Sequence, residues 1–240
     1  MRPLFCIRMF LLVVIWVVCS VLILPLCLIF PFHWIGSWVY SRLTCPLSCK
    51  LLGLKIKVEG VEKLKAYPAV IISNHQSGLD VPICGTFFPK HCVCLGKREL
   101  LYIPFFGQIF WLAGNLLIRR YHRKKAMESM QKIQRLLKEK QTSIWIMPEG
   151  TRGGGQGLLP FKKGAFHTAI NTGFPVIPIA VSNYGENIDL NKFSGGNIII
   201  RILDPIPSDN LRIEDVPNLL EESYTKIKSG IEELNAKLSR

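Results

Sequence analysis

Residues Ser73 to Asp80 read Ser-Asn-His-Gln-Ser-Gly-Leu-Asp, directly behind the apolar run Ala69-Val70-Ile71-Ile72. A histidine, with an unperturbed pKa of about 6.5, can take a proton at neutral pH. A carboxylate that accepts a hydrogen bond from one ring nitrogen leaves the other nitrogen as the base. His75 and Asp80 could make such a pair. Their separation does not suit one helical face, so the pairing needs His75 in a turn and Asp80 in the first turn of a following helix. The plain alternative is a turn built from Asn, Ser and Gly whose Asp caps a helix.

Two more polar clusters follow apolar runs. Gly96-Lys97-Arg98-Glu99-Leu100-Leu101 comes after His91–Leu95, and Met147-Pro148-Glu149-Gly150-Thr151-Arg152 closes Ser143–Met147. Ligands of open α/β sheets bind beyond the carboxyl ends of strands. Converging strand ends would therefore gather the three clusters in one cleft.

The elements that must position them are legible as alternation. Lys55–Glu59, Ala69–Ile72, His91–Leu95, Ser143–Met147, Val176–Val181 and Asn197–Leu203 are short apolar runs rich in β-branched residues and read as strands. Arg119–Lys140 places Ala126, Met130, Ile133 and Leu137 on one helical face. Lys162–Thr172 predicts a second helix ended by Gly173, and Leu219, Leu220, Tyr224, Ile227, Ile231, Leu234 and Leu238 mark a third. Strands alternating with helices predict an α/β fold, a mixed, largely parallel sheet flanked by helices.

Ahead of this lies a different chain. From Met9 to Ser41 there is no charged residue apart from the normally neutral His33, and Met9–Phe32 is almost wholly apolar. At ~1.5 Å per residue such a run could cross a hydrocarbon core of ~30 Å. Pro25 and Pro31 interrupt its second half, and Trp34, Trp38 and Tyr40 follow at what would be the interface. Spanning and re-entrant hairpin are both open. Arg42, Lys50, Lys55 and Lys57 lie beyond it against Arg2 and Arg8 before it, which orients the larger part to the cytoplasm. The reading divides the chain into a membrane-anchoring helical segment, 1–54, and a globular domain, 55–240.

With the blocks laid out in order, the chain resembles the glycerolipid acyltransferases, and their bacterial branch in particular. Asn74-His75 and Asp80 match that family's H-x-x-x-x-D signature. Gly96–Leu100 with Ile103-Pro104, Gly107, Gly114 and Ile118-Arg119 is similar to its second block. Pro148–Arg152 with Pro160-Phe161-Lys162 and Gly164-Ala165 is similar to the third, and Val176-Ile177-Pro178-Ile179 to the fourth.

The resemblance implies acyl transfer from acyl-CoA or acyl carrier protein to the sn-2 hydroxyl of lysophosphatidic acid. The product would be phosphatidic acid, formed at the cytoplasmic face of a bacterial inner membrane without a cofactor. His75 would be the general base and Asp80 its orienting partner. Arg152, then Lys97 and Arg119, would bind the acceptor phosphate, since guanidinium suits a phosphomonoester. Glu149 would hold Arg152 or Lys97 or accept a turn N–H. Gly150 and Thr151 complete the block, with backbone N–H groups near Gly150 or in the Asn74–Gly78 turn as oxyanion donors. Pro178 would shape an acyl-chain wall, or else be an edge-strand proline. One departure stands out: where the family commonly carries serine and further basic residues, Gly153-Gly154-Gly155-Gln156 follows Arg152. Another lysophospholipid or a lyso-aminolipid acceptor is the alternative this raises.

Composition narrows the field. Thirty Lys and Arg against 17 Asp and Glu give a formal net charge of +13, which favours anionic partners such as membrane phospholipid. A membrane-anchored protein binding lipid or nucleic acid through that charge is the rival from another class. The chain carries no recognisable nucleic-acid motif, and no nucleic acid is expected as a partner. Eight cysteines without a C-x-x-C pair predict reduced, apolar side chains and no metal site. No G-x-S-x-G elbow is present, so direct transfer without an acyl-enzyme is expected.

Overall fold

The computed structural model describes residues 3–65, 68–118, 123–185 and 187–239. In chain order the elements are α1 (Pro3–Ile29), α2 (Trp34–Leu51), β1 (Leu54–Glu59), β2 (Val70–Ser73), α3 (Asp80–Gly85), β3 (Cys92–Lys97) and α4 (Phe106–Leu112). Then come β4 (Leu116–Ile118), α5 (Arg123–Lys140), β5 (Ser143–Ile146), α6 (Gly164–Thr172), β6 (Val176–Val181), β7 (Gly196–Ile202) and α7 (Val216–Leu238). Among the described residues, seven strands form one sheet in the order β1-β7-β6-β2-β5-β3-β4. Only β6–β7 pairs antiparallel there. The expected mixed, largely parallel α/β fold is present.

Alternation of side chains along the strands divides the core in two. Val70, Ile72, Ile144, Val176 and Ala180 face one way, onto Ile133 and Leu137 of α5, Phe166 and Ala169 of α6, and Ile227, Ile231 and Leu234 of α7. Ala69, Ile71, Trp145, Ile177, Ile179 and Ile200 face the other, onto Ile83 and Cys84 of α3 and Cys49 and Leu52 at the end of α2. The N-terminal segment thus runs into the core rather than ending before it.

The six expected strands are present with their ends shifted by a residue or two, and Gly96-Lys97 belong to β3 rather than to the loop behind it. Gly173 ends α6 in a left-handed conformation, as the sequence indicates. Arg119 and the side chain of Ala126 lie outside the described residues. Three short or proline-bearing elements were not legible: β4 of three residues, α4, and α2, which carries Pro46 inside it.

β6 holds a proline away from any edge, between β2 and β7. Pro178 has no N–H, and the sheet accommodates this where β7 has ended. Pro178 O accepts Leu203 N–H at 2.9 Å, and the pairing with the far strand resumes only at Val176 with Ile206. The edge-strand reading of Pro178 is therefore corrected.

α1 and α2 form a helical pair stitched by Trp16 Nε1 donating to Ser48 Oγ at 3.0 Å and by Ser20 Oγ and Tyr40 OH at 3.2 Å. The buried residues of α1 are Arg8, Cys19, Ser20, Ile23 and Cys27, while Phe10, Val13, Val21, Leu22, Leu28 and Ile29 are exposed. Arg8 spans the distance to the segment before β7, where its guanidinium donates to Leu190 O at 2.8 Å, Lys192 O at 2.6 Å and Phe193 O at 3.1 Å. The turn after α1 is fixed too, with Phe32 N–H donating to Leu112 O at 2.8 Å. Arg8→Met keeps the packing stem and removes the donors. It should cost about 2 kcal/mol of stability, since three carbonyls lose a charged donor, and should speed proteolysis between 187 and 195. Thermal unfolding and limited digestion in detergent measure both.

Candidate active site

β2 lies near the middle of the sheet, between β6 and β5, so its carboxyl end faces the chain leaving both neighbours. Asn74 continues the strand by side chain: its Nδ2 donates to Val181 O and its Oδ1 accepts Val181 N–H, both at 2.9 Å. The main chain is thereby free to turn at His75, and α3 begins at Asp80 as the spacing requires.

His75 Nδ1 and Asp80 Oδ2 are 2.7 Å apart. Oδ2 also accepts Gln76 N–H at 2.7 Å and Ser77 N–H at 3.0 Å. Oδ1 accepts the Tyr184 hydroxyl at 2.6 Å. Asp80 has no exposed surface, whereas the His75 side chain is 18% exposed. A buried carboxylate without these donors would be costly. With Oδ2 also accepting two backbone N–H groups it is an acceptor, which makes Nδ1 a protonated ring nitrogen.

Glu149, at the end of β5, is buried and supports the same turn from the other side. Its Oε1 accepts His75 N–H at 2.5 Å and its Oε2 accepts Leu159 N–H at 2.9 Å. Burial pushes its carboxyl above the usual range, against the two N–H bonds that lower it. Of the expected roles, accepting a turn N–H is present. A pairing with Arg152 or Lys97 is not among the contacts of the described residues; each carboxylate oxygen instead accepts one backbone N–H.

Several of the suggested oxyanion donors already have partners. The N–H groups of His75, Gln76 and Ser77 serve Glu149 and Asp80. Gly150 N–H donates to Met147 O, Gly153 N–H to His75 O at 2.8 Å, and Gly154 N–H to Gln76 O at 3.2 Å.

The cationic residues are spread along this end of the sheet. Arg152 is exposed, and a Cβ on Gly78 would lie 3.7 Å from its Nη2, so the guanidinium leans over the His75 turn. Thr151 is exposed beside it. Lys97 is the exposed last residue of β3, separated from β2 by β5. Gly150 has a φ of +70° and is covered by Lys162, whose Nζ would stand 2.8 Å from a Cβ there. Pro178 is not brought to the turn: it is in register with Ile72 and shares its sheet face with Val176 and Ala180, opposite α3.

Sequence reasoning missed Tyr184, Lys162 and the clamp of Gln76, whose Nε2 donates to Ser182 O at 2.9 Å and whose Oε1 accepts Tyr184 N–H at 3.2 Å. Ser182-Asn183-Tyr184 is a polar cluster at the carboxyl end of β6, so the strand-end argument applied to that strand would have found it.

Comparison with known proteins shows the family. Residues 55–182 match the family model described as Acyltransferase. The chain is 38% identical over 190 residues to "1-acyl-sn-glycerol-3-phosphate acyltransferase" of Salmonella typhimurium, covering 79% of this chain and 78% of that one. It is 39% identical over 190 residues to the protein of the same name in Escherichia coli K12, with the same coverage. The Saccharomyces cerevisiae protein of that name is 33% identical over 213 residues, 87% of this chain and 70% of that one. The crystal structure of the 1-acyl-sn-glycerophosphate (LPA) acyltransferase from Thermotoga maritima superposes with a TM-score of 0.78 at 23% identity, over 98% of both chains, and shares the fold. By these relatives this chain is an enzyme, and it belongs to the acyltransferase family.

Glu149→Gln tests the support of the turn. An amide offers one acceptor where two N–H groups require one each, and leaving a buried donor unpaired costs about 1–3 kcal/mol. The variant should melt earlier and turn over more slowly, with denaturant unfolding and initial rates as the measurements.

Proposed function

We propose that the chain transfers an acyl group from acyl-CoA or acyl carrier protein to the sn-2 hydroxyl of 1-acyl-sn-glycerol-3-phosphate, giving phosphatidic acid. The observation that carries this reading is the His75–Asp80 pair, 2.7 Å apart, with one carboxylate oxygen held by two backbone N–H groups. The relatives' printed names supply the acceptor.

In this reading Nε2 of His75 accepts the hydroxyl proton as the oxygen attacks the thioester carbonyl. The C–O bond forms, the C–S bond breaks, and the imidazolium returns the proton to the departing thiolate. Asp80 holds the tautomer and stabilises the imidazolium between the two steps. Arg152, leaning over Gly78, is the first phosphate partner. Lys162, which covers Gly150, is the second, followed by Lys97 and Arg119. Gly150 and Thr151 belong to the same acceptor-binding stretch as Arg152. Pro178 takes no part, and its place in the sheet supports a structural role.

We read residues 55–240 as the catalytic domain and 1–54 as its membrane anchor. Arg8 and Ser20 of α1 are buried while Phe10, Val13, Val21, Leu22, Leu28 and Ile29 are exposed, the reverse of a helix on a water-facing protein. A lipid surface satisfies that arrangement. Both ends of α1 are tied to the globular part, through Arg8 and Phe32, which supports entry from one face of the bilayer over a crossing. The basic excess beyond Ser41 supports a cytoplasmic placement, at the inner membrane if the source is bacterial.

The glycine loop favours one second reading, a different lysolipid acceptor. Gly154, Gly155 and Gly157 have nothing within 4 Å of a Cβ, so apart from Gln156 this stretch of the loop presents no side chain to an acceptor headgroup.

Thiol release from acyl-CoA, with and without lysophosphatidate, should require the acceptor. It should fall about 10³-fold in His75→Ala, as loss of a general base does. Acceptor-independent release would mean a thioesterase, and no release from acyl-CoA or acyl carrier protein with any lysolipid would end the enzymatic reading. Arg152→Ala should raise KM for lysophosphatidate at least ~10-fold, the loss of a charge-assisted bidentate contact, while sparing an uncharged lysolipid. Equal losses would remove Arg152 from phosphate binding.

A further inference from the structure

Tyr184 lies three residues beyond β6, outside the four blocks, and is almost wholly buried with its hydroxyl on the catalytic carboxylate. The hydrogen-bond directions around it follow from chemistry. Asp80 Oδ1 accepts, so the phenol donates to it at 2.6 Å. The phenol's single proton is then spent, and Ser77 Oγ, 3.1 Å away, must donate to the phenol oxygen. Ser77 Oγ in turn accepts Leu79 N–H at 3.0 Å. A one-way chain runs from the amino end of α3 through Ser77 and Tyr184 to Oδ1, while Oδ2 receives His75 Nδ1–H and two backbone N–H groups.

Resting on the acyltransfer reading above, we infer that Tyr184 is a positioning residue that sets the basicity of His75 through Asp80. A donor on Oδ1 draws negative charge away from Oδ2, weakens the pull on Nδ1–H and keeps the imidazole neutral and able to accept a proton. It also ties down Oδ1, while the ring and the two backbone N–H groups hold Oδ2. The phenol suits this task because burial, then the charge of Asp80, push its ionisation far above the usual range, leaving it a donor at every working pH.

The other ionisable groups around the pair do not duplicate it. Glu149, beyond β5, touches the main chain of His75 rather than its ring. Arg152 lies over Gly78 on the exposed side. Cys84, on α3, is fully buried, and burial raises its thiol well above the ordinary range, so it stays neutral. The Tyr184 hydroxyl is the side-chain donor that meets Oδ1 among the described residues.

The test is Tyr184→Phe, read by the pH dependence of kcat and by an NMR titration of the His75 ring in the full-length protein in detergent. Removing the donor should raise the His75 pKa and carry the acidic limb of the kcat profile upward with it. The rate at pH 7 should fall at least ~10-fold while recovering at higher pH, and KM for the acceptor should change less than kcat. One pKa unit corresponds to a tenfold change in the neutral fraction well below the pKa. Site-specific 3-fluorotyrosine at 184, a stronger donor of the same shape, should move the titration the opposite way, and it keeps the inference testable if the phenylalanine variant folds poorly. A lower melting temperature with the His75 titration unmoved in both variants would make Tyr184 a packing residue and overturn the inference. An inactive wild-type protein would instead count against the acyltransfer reading, leaving the ring titration to judge Tyr184.

Discussion

A carboxylate sealed from water must collect donors, and Asp80 collects four from three directions: a ring nitrogen, two backbone N–H groups of its own turn, and a phenol from the far side of β6. That requirement organises this end of the molecule. The turn from His75 to Ser77 has to wrap inward so that its amides reach Oδ2, which is why it cannot offer them to a substrate. The α3 helix has to start at Asp80. β6 has to end where it does for Tyr184 to arrive.

The sheet order makes the convergence possible. Placing β2 between β5 and β6 puts Glu149 on one flank of the turn and Ser182–Tyr184 on the other. Two buried acids at one site serve different ends: Asp80 binds the ring, Glu149 binds the backbone that carries the ring. The guanidinium of Arg152 then remains on the open side, unneutralised by Glu149, where an anion can reach it.

What could be read from the chain alone follows the range of the forces involved. Strands such as Val176–Val181 and the amphipathic α7 advertise themselves because burial acts on every second or every third to fourth residue. His75 and Asp80 were legible because their partnership is local, a matter of one turn. Glu149 is legible with three partners open, Arg152, Lys97 or a turn N–H, and the chain alone does not choose among them because the N–H groups of His75 and Leu159 come within reach only once the strands are adjacent. Tyr184 lies 104 residues from Asp80 and carries no local signal that it would meet it. Pro178 looked like an edge residue by rule; only the early end of β7 explains its place in the interior. The three-residue β4 and the proline-bearing α2 are held by neighbours rather than by their own preferences.

Asn74 pairs through its side-chain amide with both main-chain groups of Val181, imitating one more peptide unit at the end of a parallel ladder. The register of the His75 turn against β6 is therefore set like that of a strand, to a single residue. Lengthening or shortening the chain between Asn74 and Asp80 would uncouple the pair entirely. The neighbouring loop is under no such discipline beyond Gly153, since Gly154, Gly155 and Gly157 face open space. The fold thus separates a part that evolution must keep at fixed length from a part whose length and composition can drift, and lineages can explore new headgroup contacts without disturbing the proton chemistry.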